Sequence, residues 1–315
     1  MENLSFRTPI KIKPEENKID FKSKIILFGS CFSENIGNKF RYFKFDEITN
    51  PYGVLFNPVA IENAINDCIH CKTYTKKDLF FQNEQWHSYN HHSDFSSMDV
   101  NHILSKINGN IQEIHQQLQN TTHLIITLGT AWVYQHIKTD KIVANCHKVP
   151  QKEFHKKLLS VNDIRKKLTS IKNNIFSLNP SINIIFTVSP VRHLKDGMVE
   201  NSISKAHLLT AIHDTLDKNT NYFPSYEIVL DDLRDYRFYE KDMVHPNETA
   251  IEYIWNIFKN TWITGKTEKI LKEIDVIQKG LLHRPFNPNS DAHKKFKANL
   301  LIKIKNLKDS SDIIF

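Results

Sequence analysis

Two short strings in this chain hold residue types that can do covalent chemistry together. The first is Gly29-Ser30-Cys31, two nucleophilic side chains behind a glycine, and the second is Asp242-Met243-Val244-His245. A hydroxyl or thiol attacks a carbonyl well only when a base takes its proton. An imidazole held by a carboxylate at one ring nitrogen offers the other as that base. A thiol at a helix N-terminus also meets the helix dipole and free backbone N–H groups, so the Cys31 pKa is expected to be lowered. Glycine usage draws attention to the first string. The chain has eight glycines, about a third of ordinary usage. Three of them, Gly29, Gly53 and Gly129, sit at or beside apolar stretches and open polar turns. A chain this sparing keeps glycine where backbone geometry requires it.

These residues need elements to position them. Short apolar runs at 24–28, 123–128, 182–188 and 226–230 read as buried parallel strands. Helical spacing runs through 33–43, 59–71, 100–119, 161–178, 202–216 and 250–262. Strands alternating with helices this long predict an α/β fold, three layers (α/β/α) around a mostly parallel central sheet. Residues 1–265 are expected to form that domain. Residues 266–315 are strand-free and lysine-rich, broken by His283-Arg-Pro-Phe-Asn-Pro288, and are expected to form a helical C-terminal extension that could serve as an oligomerisation arm. Open α/β sheets bind ligands at the carboxyl ends of their strands. Those ends carry Ser30 and Cys31, then Gly129, Thr130 and Trp132, then Arg192 and His193, and lastly the path to Asp242 and His245.

Composition excludes several classes. A formal charge of +7 over 315 residues, with lysines spread along the chain, describes a solvated surface better than a nucleic-acid groove. No apolar run approaches the ~20 residues of a membrane span and no signal-peptide core is evident, which places the expected compartment in the cytosol. Four cysteines in a chain this long do not make a disulfide framework. Cys68-Ile-His-Cys71 has metal-like spacing, but it lies in a helical stretch and needs further ligands that only Cys146 and His147 could bring. No metal and no cofactor are expected. Trp86-His87 and His91-His92 are read as a solvated loop, with an aromatic wall for a sugar ring as the alternative.

The segments ILFGSCFSENIG (26–37), NPYGVLFNP (50–58), ITLGTAWVY (126–134), NCHKVP (145–150), FTVSPVRHL (186–194) and PSYEIVLDDLRDYRFYEKDMVHPNETA (224–250) resemble the GSCFA family, grouped with the SGNH/GDSL hydrolases. The resemblance spans nearly the whole chain. In GDSL enzymes a strand ends in Gly-Asp-Ser and the serine is the nucleophile. That register puts Cys31 on the nucleophile and Ser30 on the aspartate; Ser30 as the working hydroxyl, or neither, stays open. Asp242 and His245 are similar to the DxxH block. Oxyanion donors are expected from the Cys31 N–H and from Gly53, which resembles the second-block glycine. Where a third-block Gly-x-Asn would bring an amide, this chain reads Gly129-Thr130-Ala131. Thr130, the Trp132 indole or Asn145 are candidates to replace it, with His147, Arg192 and His193 as further substrate contacts.

The resemblance implies a hydrolase or acyltransferase that forms an acyl-enzyme on a short-chain ester, a small-molecule or carbohydrate substrate. The alternative is a degenerate binding module for a glycan or acylated ligand, which the missing asparagine favours.

Overall fold

The structure, a computed structural model, describes residues 7–311, 313 and 315. Strand β1 (Lys24–Gly29) leads into helix α1 (Cys31–Tyr42), strand β2 (Asp46–Thr49) and helix α2 (Pro58–Ile69). A hairpin of β3 (Phe80–Gln82) and β4 (Gln85–His87) precedes α3 (Val100–Leu118) and β5 (His123–Leu128). Next come β6 (Trp132–His136), β7 (Lys141–Val143) and β8 (Phe154–Leu158), then α4 (Val161–Leu178), β9 (Asn183–Val188), α5 (Met198–His213) and β10 (Thr220–Phe223). A helical turn α6 (Ser225–Glu227) and helices α7 (Glu248–Trp262), α8 (Glu268–Leu282) and α9 (Asp291–Ser311) follow.

The central sheet has five parallel strands in the order β10-β9-β5-β1-β2. Successive side chains on a strand face opposite ways, and both faces here are apolar. Ile26 and Phe28, with Leu124, Ile126 and Leu128, pack under α2 to α5. Ile25, Leu27 and Ile125 pack on the other face against Phe40 of α1 and Trp255 and Phe258 of α7. This double burial explains why the strands read as unbroken apolar runs. The result is a three-layer α/β/α fold with a helical C-terminal region.

The run at 226–230 is not a strand. Residues Ser225–Glu227 form a helical turn and Ile228–Asp232 a π-helix, while the last strand of the sheet is Thr220–Phe223. Pro224 divides them and lacks the N–H a ladder needs. Ile228 and Val229 are buried all the same, so a short apolar run could not tell one state from the other. The helix read at 202–216 runs earlier, over Met198–His213. A second, three-stranded antiparallel sheet, β7-β6-β8, has no counterpart in the sequence reading. Nor has the hairpin that replaces the expected loop at Trp86-His87. Its turn puts Asn83 and Glu84 at φ 49° and 61°, a geometry normally announced by glycine.

Helix α8 places Leu271 in the same core as α1 and α7. Its Ile274 and Ile277 join Leu300 and Leu307 in a smaller cluster that touches Phe21 and Phe43. The Tyr42 hydroxyl donates to Asp275 at 2.9 Å, and the Gln278 amide to the Tyr42 carbonyl at 2.8 Å. Among the described residues no helix is long and apolar enough to cross a membrane.

Gly29 ends β1 at φ 145°, and a Cβ there would lie 2.2 Å from the Thr127 carbonyl oxygen of β5. Both the backbone conformation and the contact forbid a side chain. Gly29→Ala is expected to cost on the order of 3 kcal/mol, read as a lower denaturant midpoint. An unchanged midpoint would show that the β1–β5 junction relaxes freely.

Candidate active site

In chain order the central strands lie 2-1-3-4-5, so the connections leave β1 and β5 in opposite directions. Such a switch point opens a crevice at the carboxyl ends of those two strands. A cavity of about 770 Å³ occupies this position, within the usual range for small-molecule sites. Its floor is built from strand ends: Ser30 and Cys31 after β1, Thr130 after β5, and Ser189, Arg192 and His193 after β9. Trp132 and Tyr134 of β6 with Asn145 and Cys146 form one wall, and Asp242 and His245 reach in from the loop before α7. Asp242, His245 and Cys31, more than 200 positions apart in the chain, therefore share one cavity.

Ser30 and Cys31 have separate jobs. Ser30 is the N-cap of α1; its Oγ accepts from the Phe32 N–H at 3.3 Å, and the residue is buried. Cys31 is the first residue of the helix and only partly buried. Its thiol was expected to be acidified by the helix terminus, but its pKa is raised. Burial is the main cause and Glu34 adds to it, while the local N–H groups and Lys205 pull the other way. Desolvation outweighs the dipole here.

Asp242 and His245 form a compact unit. Asp242 Oδ1 accepts from the N–H groups of Val244 and His245 at 2.9 and 3.0 Å, and Oδ2 meets His245 Nδ1 at 2.6 Å. The His245 N–H, its imidazole and the Val244 N–H hold the carboxyl down to about 2. With Nδ1 engaged, Nε2 is the nitrogen left for a proton in transit.

Helix α5 contributes what the sequence reading missed. Asn201, Ser204, Lys205 and Leu208 share its buried face, the i, i+3, i+4, i+7 stripe that meets the core. Asn201 Oδ1 accepts from the His193 N–H at 3.0 Å, and Ser204 Oγ from the Ala131 N–H at 2.7 Å. Lys205 Nζ donates to the carbonyls of Gly129 and Ser189, each at 2.7 Å. The stripe thus ties the ends of β5 and β9 together beneath the cavity. A lysine on a core stripe was the available signal, since unpaired lysines are almost never fully buried.

Several expected donors are committed elsewhere. The Gly53 N–H donates to the Asn50 carbonyl at 2.7 Å, and Gly53 does not line the cavity. The Gly129 and Thr130 N–H groups both donate to the Phe56 carbonyl, at 2.8 and 3.0 Å. Thr130 Oγ1 bonds Ser204 Oγ and accepts from the Trp132 N–H, and the Trp132 indole donates to the Glu200 carbonyl at 3.2 Å. His147 lies behind the wall, its Nε2 on the Ser88 carbonyl at 2.8 Å. Asn145 faces the cavity while its Oδ1 accepts from the His147 N–H. Arg192 also lines it, with its guanidinium over the Tyr239 and Tyr236 rings at 5.1 and 5.9 Å. The unforeseen amide is Asn57. It caps α2 by accepting from the Ala60 N–H at 2.9 Å and lines the cavity, so Nδ2 is the end it can offer a ligand. His92 lines the cavity too, whereas His87 and His91 are buried. Cys68 is buried in α2 against the Tyr52 hydroxyl. Among the described residues no group of three or more His, Cys, Asp or Glu side chains is placed to hold a metal ion.

Fold and cavity together define an open-sheet α/β protein with a Gly-Ser-Cys turn and a late Asp–His pair at one cavity. The chain belongs to the GSCFA family, whose model matches residues 24–258. A model described as the GSCFA domain protein C-terminal domain matches residues 274–313. Two solved structures are similar at 10% identity: a carbohydrate esterase family 3 protein from Talaromyces cellulolyticus (TM-score 0.36, 80% of this chain and 99% of that one), and an acetyl xylan esterase from the rumen bacterium Butyrivibrio proteoclasticus (TM-score 0.35, 78% of this chain and 66% of that one). No curated protein matches the chain.

Burial lowers four imidazoles: His91 to about 3, His147 to about 4, His193 to about 4, the last also by Lys205, and His123 in the same direction. In the unfolded chain each takes up a proton near 6.5. The stability they contribute is therefore present above that pH and lost as the pH falls toward 4. A denaturant midpoint that declines steeply between pH 6.5 and 4 is expected, with His91→Gln flattening the decline. A flat wild-type profile would contradict this account.

Proposed function

We propose that the protein is an SGNH-type acyl-ester hydrolase or acyltransferase that works through an acyl-enzyme on Cys31. The observation that carries this reading is that a helix-N-terminal thiol and a carboxylate-held imidazole line the same cavity. His245 Nε2 takes the Cys31 proton and Sγ attacks the ester carbonyl. The oxyanion is met by the Cys31 N–H, a first-turn donor outside the helix ladder, and by the Asn57 amide in the place of the missing third-block asparagine. The C–O bond breaks, and the leaving oxygen receives the proton from His245. Water then gives the acid, whereas a sugar hydroxyl gives a new ester. A cavity that mixes Trp132 and Tyr134 with polar side chains suits a short acyl group on a carbohydrate.

The second reading, a non-catalytic module that binds such a ligand, draws on the upward push on the Cys31 thiol. Intact-mass spectrometry with a panel of short acyl esters separates the two. An acyl adduct is expected in the wild type and in Ser30→Ala but not in Cys31→Ala. Loss with Ser30→Ala alone would move the nucleophile by one residue. Saturable binding with neither adduct nor product would support the module.

Two variants test the supporting roles. His245→Ala is expected to lower kcat by about 10²–10⁴-fold; unchanged turnover would remove the Asp–His pair from the mechanism. Asn57→Asp keeps the cap acceptor of α2 but removes the amide donor. It is expected to lower kcat about 10²-fold with little change in denaturant midpoint, and full activity would exclude Asn57 as an oxyanion donor.

A further inference from the structure

Lys205 is fully buried, and no carboxylate bonds it among the described residues. Two of its three ammonium hydrogens go to the carbonyls of Gly129 and Ser189. Carbonyl dipoles offset only part of a full charge taken out of water. Nearby acids are engaged or turned away: Asp196 pairs with Lys156 at 2.6 Å, Asp242 with His245 at 2.6 Å, and Glu34 is on the exposed side of α1. The remaining groups around the ammonium are the Tyr226 ring at 5.9 Å, the buried His193 and Cys31. Of these, Cys31 can become an anion at the required place, because β1, β5 and β9 end along one edge of the sheet and Cys31, Thr130 and Ser189 line one cavity.

We propose that Lys205 is a positioning residue whose buried ammonium is the counter-ion of the ionised Cys31 thiol. Burial drives the amine down to about 7, and the Cys31 charge is what opposes that. The same coupling works on the thiol in reverse. When Cys31 ionises, its S–H bond breaks and an N–H bond forms on His245; Lys205, in its protonated form, supplies field alone. The proposal rests on Cys31 as the nucleophile, yet its test does not depend on ester turnover.

The test is the pH dependence of Cys31 alkylation by iodoacetamide in the full chain, followed by peptide mapping to separate Cys31 from the other thiols. Lys205→Met is expected to raise the Cys31 midpoint by about one pH unit or more, a roughly tenfold slower alkylation below both midpoints. An equal midpoint in variant and wild type overturns the proposal. A reciprocal measurement uses the wild-type chain and has no folding risk: NMR titration of the Lys205 side chain before and after capping Cys31 with methyl methanethiosulfonate. Capping abolishes the thiolate, so the Lys205 midpoint is expected to fall; an unmoved midpoint again overturns the proposal. If the alkylation midpoint shifts but no ester acylates Cys31, the ion pair stands and the acyl-transfer reading fails.

Discussion

The ammonium of Lys205, pinned between the carbonyls of Gly129 and Ser189, is the constraint on which the site depends. Those carbonyls belong to the residues where two neighbouring parallel strands stop, and a strand end leaves polar backbone with no ladder partner. Something must satisfy it within the interior. Helix α5 does so with side chains from its own core stripe: Asn201, Ser204 and Lys205 in place of aliphatics near its N-terminal end, Leu208 and Ile212 where it crosses apolar sheet. One helix thus changes from packing element to backbone clamp along its length. The positions of Thr130, Ser189 and His193 in the cavity follow from that change.

Much of the scaffold was legible in the sequence because double burial leaves a strong mark. Strands such as His123–Leu128 are continuous apolar runs, and helices such as Val161–Leu178 carry period-3.6 spacing, a Ser160 cap and an Asp163 that closes the capping box. The reading failed where burial and backbone state part company. Ile228 and Val229 are as deeply buried as any strand residue yet lie in a π-helix. The β6–β8 sheet was hidden for the opposite reason. It is antiparallel and partly solvent-facing, so Phe154–Leu158 is mostly exposed and reads as a lysine-rich linker.

The site was legible as composition and spacing, less so as electrostatics. Chain position together with the family resemblance nominated Cys31, with Ser30 left open, and Asp242 and His245. It could not say that burial would outweigh the helix dipole at Cys31, since desolvation is a property of what packs around a group. The same limit explains the misassigned donors. Gly53, Thr130 and Trp132 do carry the right N–H and O–H groups, but each is spent holding the fold together. Asn57 escaped notice because its place before Pro58 marks it as a helix cap, and a capping amide has a second end.

The docking of the N-terminal segment carries a consequence for synthesis. Ile19 bridges to Ile263, and Glu15 donates its N–H to the Thr261 carbonyl, while β1 takes its neighbour β5 only from residue 123 onward. On a ribosome adding about 5–20 residues per second, the apolar run Ile25–Phe28 emerges many seconds before its central partner exists. The segment ahead of it waits longer still. Vectorial folding therefore cannot finish from this segment; the sheet is complete only with β10, and its second face is covered only when α7 arrives, bringing the last contacts of Glu15 and Ile19.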